Sequence, residues 1–304
     1  MKQVVPDFFI IGAIKSGTTT LANYLIQHPE VYMPGTWEFN YLADDLNWTS
    51  PPVVKNDLEY FAHFKKGEGK RRIGEKSVYY LYSRRAARRI HEINPKAKLI
   101  CVLRNPVELL WSLFKYNVAN FEEDIYDFQK ALAAEEVRKA GREIPKTGTI
   151  AQNLFYRDII QFDVQIQNYL DLFQEDQIKI CLFDELKTNP EKLYREILDF
   201  LELSDHPLST KEKFNQGNKI ELQQARLYLH RHQKIKLIWN RIPSPFRKAL
   251  KKLMVRLRGN EPEIFKQIPL ELEQELYREF SPMIQRLSTI IDRDLTIWHL
   301  NSVP

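Results

Sequence analysis

Four short apolar runs, alternating with stretches of helical periodicity, predict an α/β fold with a central parallel sheet flanked by helices and a helical C-terminal extension. The runs are 8–11 (Phe-Phe-Ile-Ile), 73–80, 98–103 (Lys-Leu-Ile-Cys-Val-Leu) and 178–183 (Ile-Lys-Ile-Cys-Leu-Phe). Most are continuous rather than alternating, as strands buried on both faces require. Two junctions support the same architecture. The first run enters a glycine-bounded loop and then a helix at 18–28, and the third ends in Arg104-Asn105-Pro106, with proline at the favoured first position of a helix. At 304 residues the chain is long enough for a single large domain with a sizeable core.

The first junction, Gly12-Ala13-Ile14-Lys15-Ser16-Gly17-Thr18-Thr19-Thr20, has the makings of an anion site. Backbone N–H groups converge where a strand turns into a helix N-terminus, and the helix dipole favours negative charge there. Gly12 and Gly17 have the spacing of the nucleotide-hydrolase loop G-x-x-x-x-G-K-[ST], but Thr18 stands where its lysine belongs. The lysine is inside the loop, at Lys15. From there it reaches a single terminal group and its bridging oxygen rather than a long phosphate chain. The alternative is a ligand-free turn, which does not explain a lysine, a serine and three threonines crowded together.

Pro29 ends the first helix, and 31–33 reads as a short strand. Glu38 follows a Pro34-Gly35 turn and lies among Trp37, Phe39 and Tyr41. Apolar neighbours would desolvate it, raise its pKa and suit it to general-base work, the alternative being an ordinary surface glutamate. Residues 43–72 read as an irregular connection, and 84–93 as a basic helix stopped by Asn94-Pro95. Arg104, at a strand's carboxyl end, and Ser112, two turns into the next helix, are placed to bind an oxyanion; the alternative for Arg104 is an ion pair with Glu108. Residues 122–140 read as an exposed polar helix, 141–148 as a loop, 155–173 as one long helix and 190–201 as another. An apolar stripe on a basic helix over 249–257 and an amphipathic helix at 270–291 complete the pattern, with no internal repeat.

The hydrophobic fraction of 43% and charged fraction of 28% are those of an ordinary soluble protein. No apolar run approaches membrane-spanning length and no leader precedes the first strand, so a cytoplasmic location is expected. The two cysteines, Cys101 and Cys181, each lie in an apolar strand and are expected to be small core residues rather than a disulfide. The net charge of +5 is unevenly spread: residues 222–260 hold eleven Lys and Arg residues and no acidic one. Such a block points to an acidic partner or anionic surface. Nucleic acid is not expected, since no stacking platform or reading motif accompanies the charge. No metal is expected either, because His91, His230, His232 and His299 have no ligand-like arrangement.

With the lysine-shifted loop, Arg104 with Ser112, and a glutamate between them, the chain resembles the P-loop-like sulfotransferases that use 3′-phosphoadenosine 5′-phosphosulfate (PAPS). The likeness is strongest to the branch containing heparan sulfate sulfotransferases and their bacterial relatives. It covers most of 7–203, and Asp294-Leu295-Thr296-Ile297-Trp298 looks like that branch's C-terminal tail, while 204–260 match little. The resemblance implies a three-layer P-loop-like fold and a single domain over 1–304, with a PAPS-binding core at 7–203 and a mostly helical part at 204–304. It implies that Lys15, Ser16, Gly17, Thr18, Thr19 and Thr20 grip the 5′-phosphosulfate, and that Arg104 and Ser112 bind the 3′-phosphate. A further loop in relatives adds contacts to the 3′-phosphate or adenine, and Lys219, in Gly217-Asn218-Lys219, would take that place. Glu38 would be the general base, with Trp37 and Phe39 replacing the usual Lys and Pro. Lys76, in Gly74-Glu75-Lys76-Ser77, would approach the sulfuryl group or the acceptor.

The implied reaction moves a sulfuryl group to an acceptor hydroxyl and releases 3′-phosphoadenosine 5′-phosphate (PAP), without a metal. By analogy with that branch the favoured acceptor is a saccharide, possibly an anionic glycan. A lipid, a small phenol or alcohol, or a carrier-bound hydroxyl are alternatives. Two readings of other classes stand beside it. One is a P-loop NTPase or kinase, for which Ile180-Cys181-Leu182-Phe183-Asp184-Glu185 imitates a Walker B strand; the other is a non-enzymatic protein binding an anionic ligand through 222–260.

Overall fold

The computed structural model describes residues 3–48, 54–120, 122–145, 149–209 and 267–298. Lys219 and the basic segment 222–260 lie outside the described residues. Five strands, β1 (Phe8–Gly12), β2 (Val31–Tyr32), β3 (Arg72–Lys76), β4 (Lys98–Leu103) and β5 (Ile178–Leu182), form one parallel sheet in the order β2-β3-β1-β4-β5. Every residue of β1 is buried, which is why it could be written without a polar side chain.

Alternation along the strands divides the core in two. Phe9, Ile11, Leu99, Cys101 and Leu103 belong to one cluster, and Phe8, Ile10, Ile100, Val102 and Cys181 to the other. Helix α1 (Thr18–Ile26) and the later helix Pro190–Phe200 cover the second cluster, while Ala86–Ile93, α4 (Pro106–Asn120) and the C-terminal helix Leu270–Ile290 cover the first. This is the expected three-layer arrangement. Cys101 and Cys181 are free, buried thiols. Because β1 pairs with β3 on one side and β4 on the other, the strand order reverses at its carboxyl end. Ligands bind at such a switch point in open α/β sheets.

Three expectations fail, each for a physical reason. The connection at 43–72 contains a helix, α2 (Asp57–Ala62), started by the Asn56 side chain accepting from the Glu59 amide at 2.9 Å. With one fully buried residue, Tyr60, it leaves no apolar period to read. The exposed polar helix at 122–140 is two short helices, Phe128–Ala133 and Glu135–Lys139, and its polarity is partly internal. Glu122, Glu123, Glu135 and Arg138 are buried, and Arg138 grips Glu123 with two bonds of 2.6 Å. The long helix at 155–173 breaks at 160–161 into Tyr156–Ile159 and Phe162–Leu170.

The tail at 294–298 closes on the residues after β5. The Trp298 indole donates to Asp184 at 3.2 Å, and Arg293 pairs with Glu185, which also accepts from the Leu182 amide. The acid pair that imitates a Walker B strand is thus engaged with the C-terminal tail.

Candidate active site

The loop after β1 is shaped by its two glycines. Gly12 has φ 154°, and a Cβ there would meet the Leu81 Cβ at 2.8 Å; Gly17 has φ 82°, and a Cβ would meet Leu186 at 2.8 Å. Gly17 is the N-cap of α1 and offers no side-chain cap, so the first amides of the helix face the loop without an intrahelical acceptor. Ser16 is fully buried, its hydroxyl donating to the Ile14 carbonyl, and Thr18 is 4% exposed. Thr19, Thr20 and Lys15 are only partly buried.

Lys15 has left-handed backbone (φ 59°) and holds its ammonium 4.4 Å from the centre of the Tyr116 ring. Its carbonyl accepts from Arg104 Nη1 at 3.1 Å. The rest of the guanidinium pairs with Glu108 (3.0 Å) and lies over the Phe183 ring, 4.6 Å from its centre. The ion pair considered as an alternative for Arg104 therefore exists, yet Arg104 also lines a cavity of about 620 Å³. Glu108, Trp111, Ser112 and Lys115 line it from α4 at helical spacing, with Gln267, Ile268, Leu270 and Glu273 opposite. Arg104 and Ser112 thus share one cavity, and Arg104 touches the loop.

On the other side of β1, Lys76 ends β3. Its ammonium is 2.5 Å from Glu38 and 3.5 Å from the Thr19 hydroxyl. Lys76 is 2% exposed, whereas the Glu38 side chain is 24% exposed. Glu38 therefore sits against a cation at the loop helix rather than in the aromatic cage expected from its neighbours. The Trp37 and Phe39 rings instead contact each other and His63. One residue before Lys76 on β3, burial pushes the Glu75 carboxyl up to about 7, against the opposing effect of hydrogen bonds from Tyr60, Tyr80 and Ser77.

Several residues of the site escaped the sequence reading. Trp111, Lys115 and Tyr116 lie within a turn of Ser112 on α4 and were open to the same helical argument. Tyr60 and Phe183 approach from distant segments and carry no local signal. Among the described residues, no group of three or more His, Cys, Asp or Glu converges as a metal site, and no helix is long and apolar enough to cross a membrane.

A parallel sheet with a helix N-terminus, a loop lysine and a lysine–carboxylate pair at its switch point defines a P-loop-like fold. Comparison with known proteins narrows the class. The sulfotransferase domain profile matches residues 5–224, more than half of the chain, and the protein belongs to that family. A sulfotransferase from Alicyclobacillus acidocaldarius has a crystal structure that superposes with a TM-score of 0.71 at 26% identity, covering 97% of this chain and 98% of that one. The membrane-associated sulfotransferase kil1 of Dictyostelium discoideum is 24% identical over 274 residues, 66% of this chain and 56% of that protein. The bifunctional heparan sulfate N-deacetylase/N-sulfotransferase 1 of Caenorhabditis briggsae is 26% identical over 228 residues, 70% of this chain and 24% of that protein. The chain therefore spans only part of those two relatives.

Proposed function

We propose that the donor is PAPS and the acceptor a hydroxyl, most simply that of a saccharide. Arg104 carries this proposal: a single guanidinium lines the cavity shared with Ser112 and also holds the carbonyl of Lys15. A ligand with one anion on the loop and a second anion beyond Arg104 matches that arrangement, and a linear triphosphate does not. The donor set suits such a ligand, with loop amides and Lys15 for the phosphosulfate and Arg104, Ser112 and Lys115 for the 3′-phosphate. The cavity has the size expected of a small-ligand site.

The chemistry assigned to the residues follows from their positions. Glu38 takes the acceptor's hydroxyl proton as that oxygen bonds to sulfur in line with the departing bridging oxygen. Lys15 and the first amides of α1 stabilise the negative charge left on that oxygen. Lys76 orients Glu38 and offsets charge on the sulfuryl oxygens. Trp37, 45% exposed beside Glu38, offers a ring face to a sugar. The heparan sulfate relative supports a saccharide, and the kil1 relative a location at a membrane surface. The basic block at 222–260 is proposed as a dock for an anionic acceptor or surface. Retention on heparin that is lost on neutralising Lys248, Lys251 and Lys252 tests the dock. A cytosolic location belongs to the same proposal, supported by the two free thiols, and fractionation tests it.

Purified protein given PAPS and a panel of saccharide, lipid and phenolic hydroxyls should release PAP, with a saccharide as the best acceptor and Lys15→Ala abolishing release. Tight ATP binding that PAPS does not displace, or a strict magnesium requirement, would sink the donor assignment. Preference for a lipid or phenol would overturn the acceptor.

A further inference from the structure

We propose that Glu75 is a positioning residue that holds the segment bearing Glu38 in register with Lys76 through the hydroxyls of Ser77 and Tyr80. The proposal rests on the assignment of Glu38 as the base. Glu75 and Lys76 are successive residues of β3 and point to opposite faces. Lys76 meets Glu38 and Thr19, while Glu75 is buried among hydroxyls (1% exposed). Ser77 Oγ and Tyr80 OH donate to Glu75 Oε1 at 2.8 and 2.6 Å, and Tyr60 OH, from α2, donates to Oε2.

Each hydroxyl has one proton and two lone pairs. Committing the protons to Glu75 leaves the oxygens of Ser77 and Tyr80 free to accept. They do so from the chain just past Glu38: the Asn40 amide donates to Ser77 Oγ at 3.0 Å and the Leu42 amide to Tyr80 OH at 3.4 Å. Asn40 has left-handed backbone (φ 52°), a conformation asparagine tolerates better than most residues, and its amide is anchored by Ser77. Phe39 packs between Tyr60 and Phe64. One buried carboxylate thereby orients three hydroxyls, two of which fix the backbone on which Glu38 stands.

The charged and titratable groups facing Glu75 are Tyr60 from α2, Tyr80 beyond β3, and Glu38, whose charge adds to the effect of burial. Because Glu75 titrates near neutrality, the hydroxyls lose their acceptor charge as pH falls. Turnover should fall with them.

The experiment compares Glu75→Gln, Ser77→Ala and Tyr80→Phe with wild type. It reads kcat, the PAP dissociation constant and hydrogen exchange of backbone amides 39–42. Loss of one buried hydrogen bond of about 1.5 kcal/mol predicts about a tenfold fall in kcat and about a tenfold faster exchange at Asn40 or Leu42. PAP affinity and the protection of β1 and β4 should stay within about twofold. Glu75→Gln should also erase the inflection of kcat near pH 7. Unchanged exchange at 39–42 in the folded variants overturns the positioning role, as does faster exchange spread evenly over the sheet. If Glu75→Gln does not fold, Ser77→Ala and Tyr80→Phe decide by the same exchange measurement. Failure of the base assignment is separate: Glu38→Gln would keep wild-type turnover while the amide exchange result stood.

Discussion

Arg104→Ala separates two jobs that one side chain performs. The guanidinium lines the proposed 3′-phosphate cavity and also donates to the Lys15 carbonyl at 3.1 Å. A charge-assisted hydrogen bond to a phosphate is worth about 1.5–3 kcal/mol. Some of this is already taken up in the free protein by Glu108, 3.0 Å away on a 45% exposed side chain. A partly exposed ion pair is worth only about 0–1 kcal/mol, so about 0.5–3 kcal/mol remains. That corresponds to a loss of about 2- to 150-fold in PAP affinity. Adenosine 5′-phosphate, which lacks the 3′-phosphate, is the control; it should lose only the small contribution of the ordered loop, about threefold or less. Calorimetric titration of both nucleotides into both proteins gives the comparison. Arg104→Lys should fall between, because an ammonium keeps the charge but not the fork of donors. Equal weakening of the two nucleotides would show that Arg104 shapes the loop and does not bind the second anion.

Replacing Glu38 by Gln should lower kcat by about 10²- to 10⁴-fold, the usual contribution of a general base, with PAP affinity within about twofold; a parallel loss of affinity would make Glu38 a binding residue. Glu75 sets a pH dependence of stability. Its folded pKa, pushed up by burial to about 7, lies above the ordinary glutamate value of 4.5. The neutral form is therefore favoured in the folded state, and stability declines as pH rises through about 7, by about 3 kcal/mol. Urea unfolding at pH 5 and pH 8 should show a smaller difference for Glu75→Gln than for wild type, and equal differences would refute the assignment. Arg138→Met should cost about 3–5 kcal/mol in the same assay because it strands the buried Glu123, and Arg138→Met with Glu123→Leu should recover most of that.

The parts of the fold that were legible are those where local chemistry and tertiary environment agree. Residues 8–11 and 98–103 had no choice but burial, and they are β1 and β4 to within a residue. Pro106 marked the start of α4 because its missing N–H is harmless only there. The polar stretch at 122–140 misled because polarity predicts exposure only when charges have no internal partner. Arg138 and Glu123 have each other, and neither sequence position announces the pairing. Residues of the site drawn from one segment, such as Lys15 to Thr20 or Arg104 with Ser112, could be named from spacing. The hydroxyl cage of Glu75 could not, since Tyr60 enters it from a helix that the sequence pattern did not reveal. Glu75, whose carboxyl burial pushes up to about 7, carries no sequence signal of its own, and the Lys76 partner of Glu38 comes from a strand 38 residues away.

The displaced lysine has a structural consequence. In a nucleotide-hydrolase loop the residue after the second glycine projects its ammonium along the phosphates. Here that residue is Thr18, 4% exposed at the start of α1. The cation must then come from the rim of the loop, and Lys15 supplies it from a left-handed backbone whose carbonyl is turned onto Arg104. One backbone unit thus joins the ammonium proposed for the breaking bond to the guanidinium proposed for the second anion. On the proposed reading, a ligand with both anions engages that unit from its two sides, so a nucleotide carrying a 3′-phosphate should bind more tightly than one without it.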